Sequence, residues 1–114
     1  MKAKPVKLVS GEGYQPCEVH EATHVQLKIP GPTGTLFLPV ILRGTRDGTN
    51  CWSWNGSTDA PTLRPSVLTQ GHGEMGEFRC HSWINDGHAQ FLDDCSHEMK
   101  NTTVPLLDIT GSQQ

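Results

Sequence analysis

The chain has 114 residues, enough for one domain, with 9 basic and 12 acidic side chains and a formal net charge of −3. That balance, without clustered Lys and Arg, argues against a nucleic-acid binder. A hydrophobic fraction of 34%, with 12 glycines and 8 prolines, leaves a thin core, and a cross-link or bound metal would help such a chain hold together.

Lys2, Lys4 and Lys7 make a basic start, read as a solvated terminus, so residues 1–12 are expected to be flexible, as are 110–114. No apolar leader opens the chain. The longest apolar stretch, LFLPVIL at 36–42, is far too short to span a bilayer. The expected location is therefore the cytoplasm, where four cysteines do not ordinarily make two disulfides. HVQLKIP places Val25, Leu27 and Ile29 on one strand face, and PGPTG at 30–34 is a turn by composition. TLFLPVILRG reads as a buried strand with an edge or bulge at Pro39, giving a hairpin over about residues 24–43. RDGTN at 46–50 is the next turn. CWSW at 51–54 is a short aromatic strand that stops at Asn55-Gly56. DAPTLRPSVLT is extended but poorly laddered, and GHGEMG at 71–76 is a loop. EFRCHSWI and HAQFL flank Asp86-Gly87, the clearest hairpin signal in the chain. Residues 104–109 supply one more strand. The expected fold is mostly β: a single domain over 1–114 forming a small antiparallel sheet, or a partly open barrel or sandwich, with little helix.

With Asp86-Gly87 as a two-residue turn, Asn85 pairs with His88, Ile84 with Ala89, Trp83 with Gln90, Ser82 with Phe91, His81 with Leu92 and Cys80 with Asp93. Side chains alternate faces and directly paired residues share one. Cys80, Ser82, Ile84, Ala89, Phe91 and Asp93 then lie together. Continued alternation brings Cys95 and His97 to that face and turns His81 and Trp83 to the other. Cys80, Cys95 and His97 supply three ligands of a tetrahedral Cys/His zinc site. Candidates for the fourth are Cys17 or His20, with C-x2-H spacing, then His81 if a bulge turns it round, then Cys51. A second metal at Cys17, His20 and His24 is a weaker alternative. The bland reading of a strand cysteine is a small buried hydrophobe.

Trp52 and Trp54 share a face and read either as core or as a partner-binding surface. Arg64, between two prolines, is placed with them as a partner-binding residue able to hold a carboxylate. Ser66 as a nucleophile beside a histidine is set aside, because no Gly-x-Ser-x-Gly elbow surrounds it. Cys80-His81 cannot act as a catalytic pair, because neighbours on a strand point apart. No catalytic residue is assigned.

WSWNGSTDAPTLRPSV and CHSWINDGHAQFLDDCSHEMKNTTVPL together resemble a small family of tailed phages, prophages and bacteria, a domain of unknown function often mislabelled ammonia monooxygenase. The pattern falls on Trp52, Trp54, Asn55, Gly56, Pro61, Thr62, Pro65, Ser66, Cys80, His81, Asp86, Gly87, Asp94, Cys95 and His97, across residues 50–107. The label itself does not fit, since ammonia monooxygenase is a membrane-embedded copper enzyme. Some relatives open with a Cys-rich knuckle where CEVHEATH stands here, which implies Cys17 and His20 as ligands. The resemblance implies a phage or prophage origin. The sequence reading is thus a zinc-stabilised phage accessory protein that binds a macromolecular partner, a host protein. Its competitor is a small metal-dependent hydrolase with an open Cys/His zinc site and Asp93, Asp94 or Glu98 as base.

Overall fold

The computed structural model describes residues 1–31, 33–42, 51–73 and 76–109. Ten strands account for most of them: β1 Ala3–Val9, β2 Gly13–Pro16, β3 His24–Ile29, β4 Gly34–Ile41, β5 Trp52–Trp54, β6 Leu63–Arg64, β7 Val67–Gly73, β8 Gly76–Asn85, β9 His88–Phe91 and β10 Thr103–Pro105. One short 3-10 turn, Val19–Glu21, is the only helix among the described residues. None is long and apolar enough to cross a membrane. The turn expected at 46–50 and the tail 110–114 lie outside the described residues.

The strands form a six-stranded sheet in the order β2-β1-β3-β4-β5-β6 and a four-stranded sheet in the order β10-β9-β8-β7. All pairings are antiparallel except β4 with β5. The core lies between the sheets. Val25, Leu27 and Ile29 meet Trp54, Leu63, Ile84 and Phe91 there. The fold is mostly β, as the turn spacing predicts, and no barrel closes.

The N-terminal segment, expected to be loose, instead forms β1 between β2 and β3. The reason is apolar alternation around the lysines: Ala3, Pro5 and Val6 are buried while Lys7 is only partly so. Pro39 sits inside β4 opposite His24. The far side of β4 is joined to β5 only at Val40 and Ile41, so the missing proline N–H disrupts no ladder there.

Asp86 and Gly87 both adopt positive φ, 50° and 79°. That pair of values is what a two-residue hairpin with right-handed twist needs. The β8–β9 register is as predicted from Asn85↔His88 to Ser82↔Phe91. Beyond Phe91 the chain departs from the expected strand. Leu92 still donates its N–H to the His81 carbonyl at 2.9 Å, but the Cys95 N–H then turns back to the Leu92 carbonyl at 3.3 Å. The tip itself is docked. Gly87 donates to the Pro61 carbonyl at 2.9 Å and accepts from the Leu106 N–H at 3.0 Å. A Cβ at this position would stand 3.2 Å from both the Ala60 Cα and the Asp59 carbonyl oxygen. Gly87→Ala therefore meets both a disfavoured φ and two backbone contacts. It should lower stability by about 1–3 kcal/mol, read as a fall in the urea midpoint at constant m. An unchanged midpoint would show that the tip is free of these contacts.

Candidate active site and metal centre

β8 presents two faces. Cys80, Ser82 and Ile84 are buried, while Arg79, His81, Trp83 and Asn85 alternate with them toward solvent. β7 pairs with β8 on the opposite side from β9, with Leu68 opposite His81 and Val67 opposite Ser82. Ser66 precedes Val67, so the same alternation turns it outward beside His81. The two side chains meet: Ser66 Oγ lies 2.8 Å from His81 Nε2. On the other edge of His81, Nδ1 lies 3.1 Å and 3.0 Å from the two carboxylate oxygens of Asp94. With the ring proton on Nδ1, His81 donates to Asp94 and its Nε2 accepts the Ser66 hydroxyl proton.

This is the connectivity of a nucleophile, a base and an orienting carboxylate. The hydrogen bond from His81, aided by the charges of His81 and Arg79, holds the Asp94 carboxyl below the usual carboxylate range. Arg79 Nη2 stands 3.2 Å from Asp94 Oδ2. Asp94 therefore stays ionised where an imidazolium would need it. On the nucleophile's side, the Trp52 indole N–H donates to the Ser66 carbonyl at 3.3 Å. Two grooves lie near this series, and none of Ser66, His81 and Asp94 lines either. One, about 220 Å³, is lined by Arg64, Trp83, Asn85 and Gln90. The other, about 550 Å³, includes Gln70, Phe78, Arg79 and Ser96.

The buried face carries the second cluster. One ligand atom each from Cys80, Cys95 and His97 lies within 4.8 Å of the others. This group could bind a metal ion. Thiolate and imidazole ligands of zinc sit about 2.0–2.3 Å from the ion, hence roughly 3–4 Å from one another, so small side-chain adjustments suffice. His97 Nε2 is buried without a partner, a vacancy that native interiors seldom tolerate. Its Nδ1 receives the Met99 N–H at a long 3.3 Å. A metal on Nε2 would place the ring proton on Nδ1 at the expense of that contact. Burial pushes the Cys80 thiol up and pulls His97 down. Both shifts favour neutral groups, so a metal would have to displace the thiol proton.

Of the six residues read as ligands from the sequence, Cys80, Cys95 and His97 come together. Cys95 and His97 arrive by the turn after Leu92 rather than by continued strand. Cys17 and His20 are not in the group: Cys17 follows β2, its N–H on the Pro5 carbonyl, and His20 lies in the 3-10 turn. His81 faces away from the group and toward Ser66, because no bulge interrupts β8 at Cys80. Cys51 is a half-buried free thiol. Among the residues read as partner-binding, Trp54 presents no surface. It is 1% exposed, and its indole N–H goes to the Ser57 carbonyl. Trp52 is half-buried. Arg64 is exposed, with its guanidinium carbon 5.1 Å above the Trp83 ring and Nη2 2.8 Å from Asn85 Oδ1.

Sequence reasoning weighs Ser66 and sets it aside, names Asp94 only as a base of the metal-dependent reading, and takes His81 only as a metal ligand; it misses the series that joins the three. The stretch 71–76, expected to be a loop, is strand at 71–73 and at 76, and the ladder from Val67↔Ser82 to Gly73↔Gly76 brings Ser66 to His81. One signal was present in the sequence: pairing His81 with Leu92 places Asp94, two residues on, on the same face.

A Ser–His–Asp series on the solvent face of an antiparallel sheet is the constellation of a serine hydrolase. The chain belongs to the BubE family, described as the bacterial ubiquitination-like system serine protease, whose model matches residues 16–92. Ser66 and His81 fall inside the matched region and Asp94 just beyond it. No curated protein and no solved structure matches the chain. The family match overturns the expectation of a phage accessory protein acting by binding a host protein. The same match, to a family described as a serine protease, overturns the metal-dependent hydrolase as well.

A fluorophosphonate probe should modify the chain once, at Ser66. His81→Ala should slow that labelling at least about 100-fold, followed by intact-mass spectrometry. Labelling that persists in Ser66→Ala would remove Ser66 as the nucleophile.

Proposed function

We propose that this chain is a serine protease of a bacterial ubiquitination-like system and that Ser66, His81 and Asp94 carry its chemistry. The observation that supports it most is the continuous hydrogen-bonded series from Ser66 Oγ through His81 to Asp94, in a chain whose family carries that description. Ser66 Oγ attacks the scissile carbonyl while His81 Nε2 removes its proton. Asp94 holds the imidazole in the required tautomer and balances its positive charge. His81 returns the proton to the leaving amine, and an acyl-Ser66 ester remains for water to hydrolyse.

The bond class follows from the conjugation chemistry. A ubiquitin-like modifier is attached through its C-terminal acyl group to an amine. The substrate would be an amide there, either in an extended precursor or in a conjugate. The test incubates the chain with a ubiquitin-like modifier of the same bacterium, bearing a C-terminal extension or joined to a lysine. Release of the free modifier is expected, with a loss of at least about 10⁴-fold in Ser66→Ala. A chain that takes the fluorophosphonate at Ser66 yet leaves both substrates intact would refute this choice of bond.

We also read the Cys80, Cys95 and His97 group as a structural zinc centre. Two thiolates and an imidazole are soft donors that suit zinc, and the thin core would gain from the link. Purified protein should carry close to one zinc per chain by mass spectrometry of the metal. Cys95→Ser should lose it and melt at lower temperature. Protein made with ample zinc yet holding none would refute the assignment.

A further inference from the structure

The two clusters are not independent. Cys80 and His81 are neighbours on β8, with side chains on opposite faces. Asp94 and Cys95 are neighbours in the turn after β9. The same two backbone segments thus carry one residue each to the triad, while β8 carries Cys80 and the turn carries Cys95 and His97 to the buried group.

Asp94 is 38% exposed at its side chain and meets β8 directly only through His81 and the Arg79 ion pair. The backbone of its segment is held to β8 by the Leu92 N–H on the His81 carbonyl and by the residues that follow Asp94. Cys95 Sγ accepts the His81 N–H at 3.2 Å and donates to the His81 carbonyl at 3.1 Å. The Ser96 N–H donates to the Arg79 carbonyl at 2.9 Å, and Ser96 Oγ accepts the Arg79 N–H at 2.8 Å. When Cys95 binds a metal its thiol proton leaves. The bond to the His81 carbonyl is then lost, and the bond from the His81 N–H remains on a thiolate. A metal joining Cys80 to Cys95 replaces the lost link with a stronger one.

We propose that a metal ion held by Cys80, Cys95 and His97 positions Asp94 against His81, so that metal occupancy governs the hydrolytic competence of Ser66. This rests on the reading of Ser66, His81 and Asp94 as the catalytic series. Asp94 is here the positioned group, and Cys80, Cys95 and His97 are positioning residues.

The experiment compares zinc-loaded full chain with chain stripped by a chelator, after circular dichroism shows the stripped chain folded. Two readouts are followed: the rate of fluorophosphonate labelling at Ser66, and the far-downfield proton signal of His81 Nδ1–H. Stripping should slow labelling at least tenfold and broaden or remove the signal, and added zinc should restore both. In Asp94→Asn labelling should already be slow and should respond less than twofold to stripping. Equal rates and an intact signal in folded, stripped protein would overturn the proposal, as would an Asp94→Asn chain that responds like the parent.

If stripping unfolds the chain, His97→Cys decides. It keeps a ligating atom on a shorter arm and so pulls the turn while zinc stays bound. A folded, zinc-loaded His97→Cys chain should label at least tenfold more slowly than the parent, and an equal rate overturns the proposal. Failure of the loaded parent to label at Ser66 would instead refute the protease reading. Labelling indifferent to the metal refutes this inference alone.

Discussion

The register of β8 against its two neighbours is the constraint on which the site depends. A strand has a side-chain period of two, so slipping by one residue would exchange its faces. His81 would then enter the core and Cys80 would face solvent. Two features prevent that. The positive φ values at Asp86 and Gly87 fix the β9 side, and the apolar set Cys80, Ile84, Ala89 and Phe91 has one face it can bury. The hydrogen bonds from Gly87 to Pro61 and from Leu106 to Gly87 then fasten the tip to both the Pro-rich segment and the residue that follows β10. The fastening matters because the Pro-rich segment carries Ser66. The docked tip, β6 and β7 together hold Ser66 to the strand that bears His81.

Much of this was legible in the sequence, because a two-residue turn converts chain distance into spatial pairing with no free parameter. Asp86-Gly87 sufficed to place Cys80, Ser82, Ile84, Ala89 and Phe91 together, and the structure buries all five. Ser66 was not legible by the same route. A consensus elbow around the serine is one solution to presenting a nucleophile, in which a sharp local turn exposes it. Here the presentation is long-range. Ser66 stands at the mouth of an edge strand, and its partner comes from fifteen residues away across the β7–β8 ladder. A motif that reads only neighbours in sequence cannot detect that. The prolines at 61 and 65 also made the segment look unpaired, whereas the ladder begins at Val67 just after them. Of the two readings of Trp54, core and partner-binding surface, the core one holds. Its size and spacing suit a binding surface, yet the indole is enclosed and its N–H is satisfied within the chain.

Adjacent residues on opposite faces explain how so small a domain can bring together both the Ser66–His81–Asp94 series and a Cys/His group that could bind a metal ion. A strand offers each face every second residue, so Cys80 and His81 share a backbone without sharing an environment. The buried neighbour sits among apolar side chains, which suits a closed, soft-ligand centre. The exposed neighbour keeps 23% of its side-chain exposure, which suits an encounter with substrate. The cost of this economy is that neither site can move without the other. A displacement of the turn at 92–97 shifts Asp94 and Cys95 together.

The triad's exposure bears on what it can cleave. His81 retains 23% and Asp94 38% of its side-chain exposure. In water a charge-assisted hydrogen bond contributes little, because solvent competes for each partner and the effective dielectric is high. The same bonds strengthen once a ligand excludes that water. A small ester would leave Asp94 and Arg79 wet. A folded protein whose tail lies along the grooves beside Arg64 and Arg79 would cover them, desolvate the His81–Asp94 bond and strengthen the base when the scissile carbonyl is in place. The site's open geometry thus favours a macromolecular acyl donor, because such a donor brings the low-dielectric surroundings that the thin scaffold does not supply.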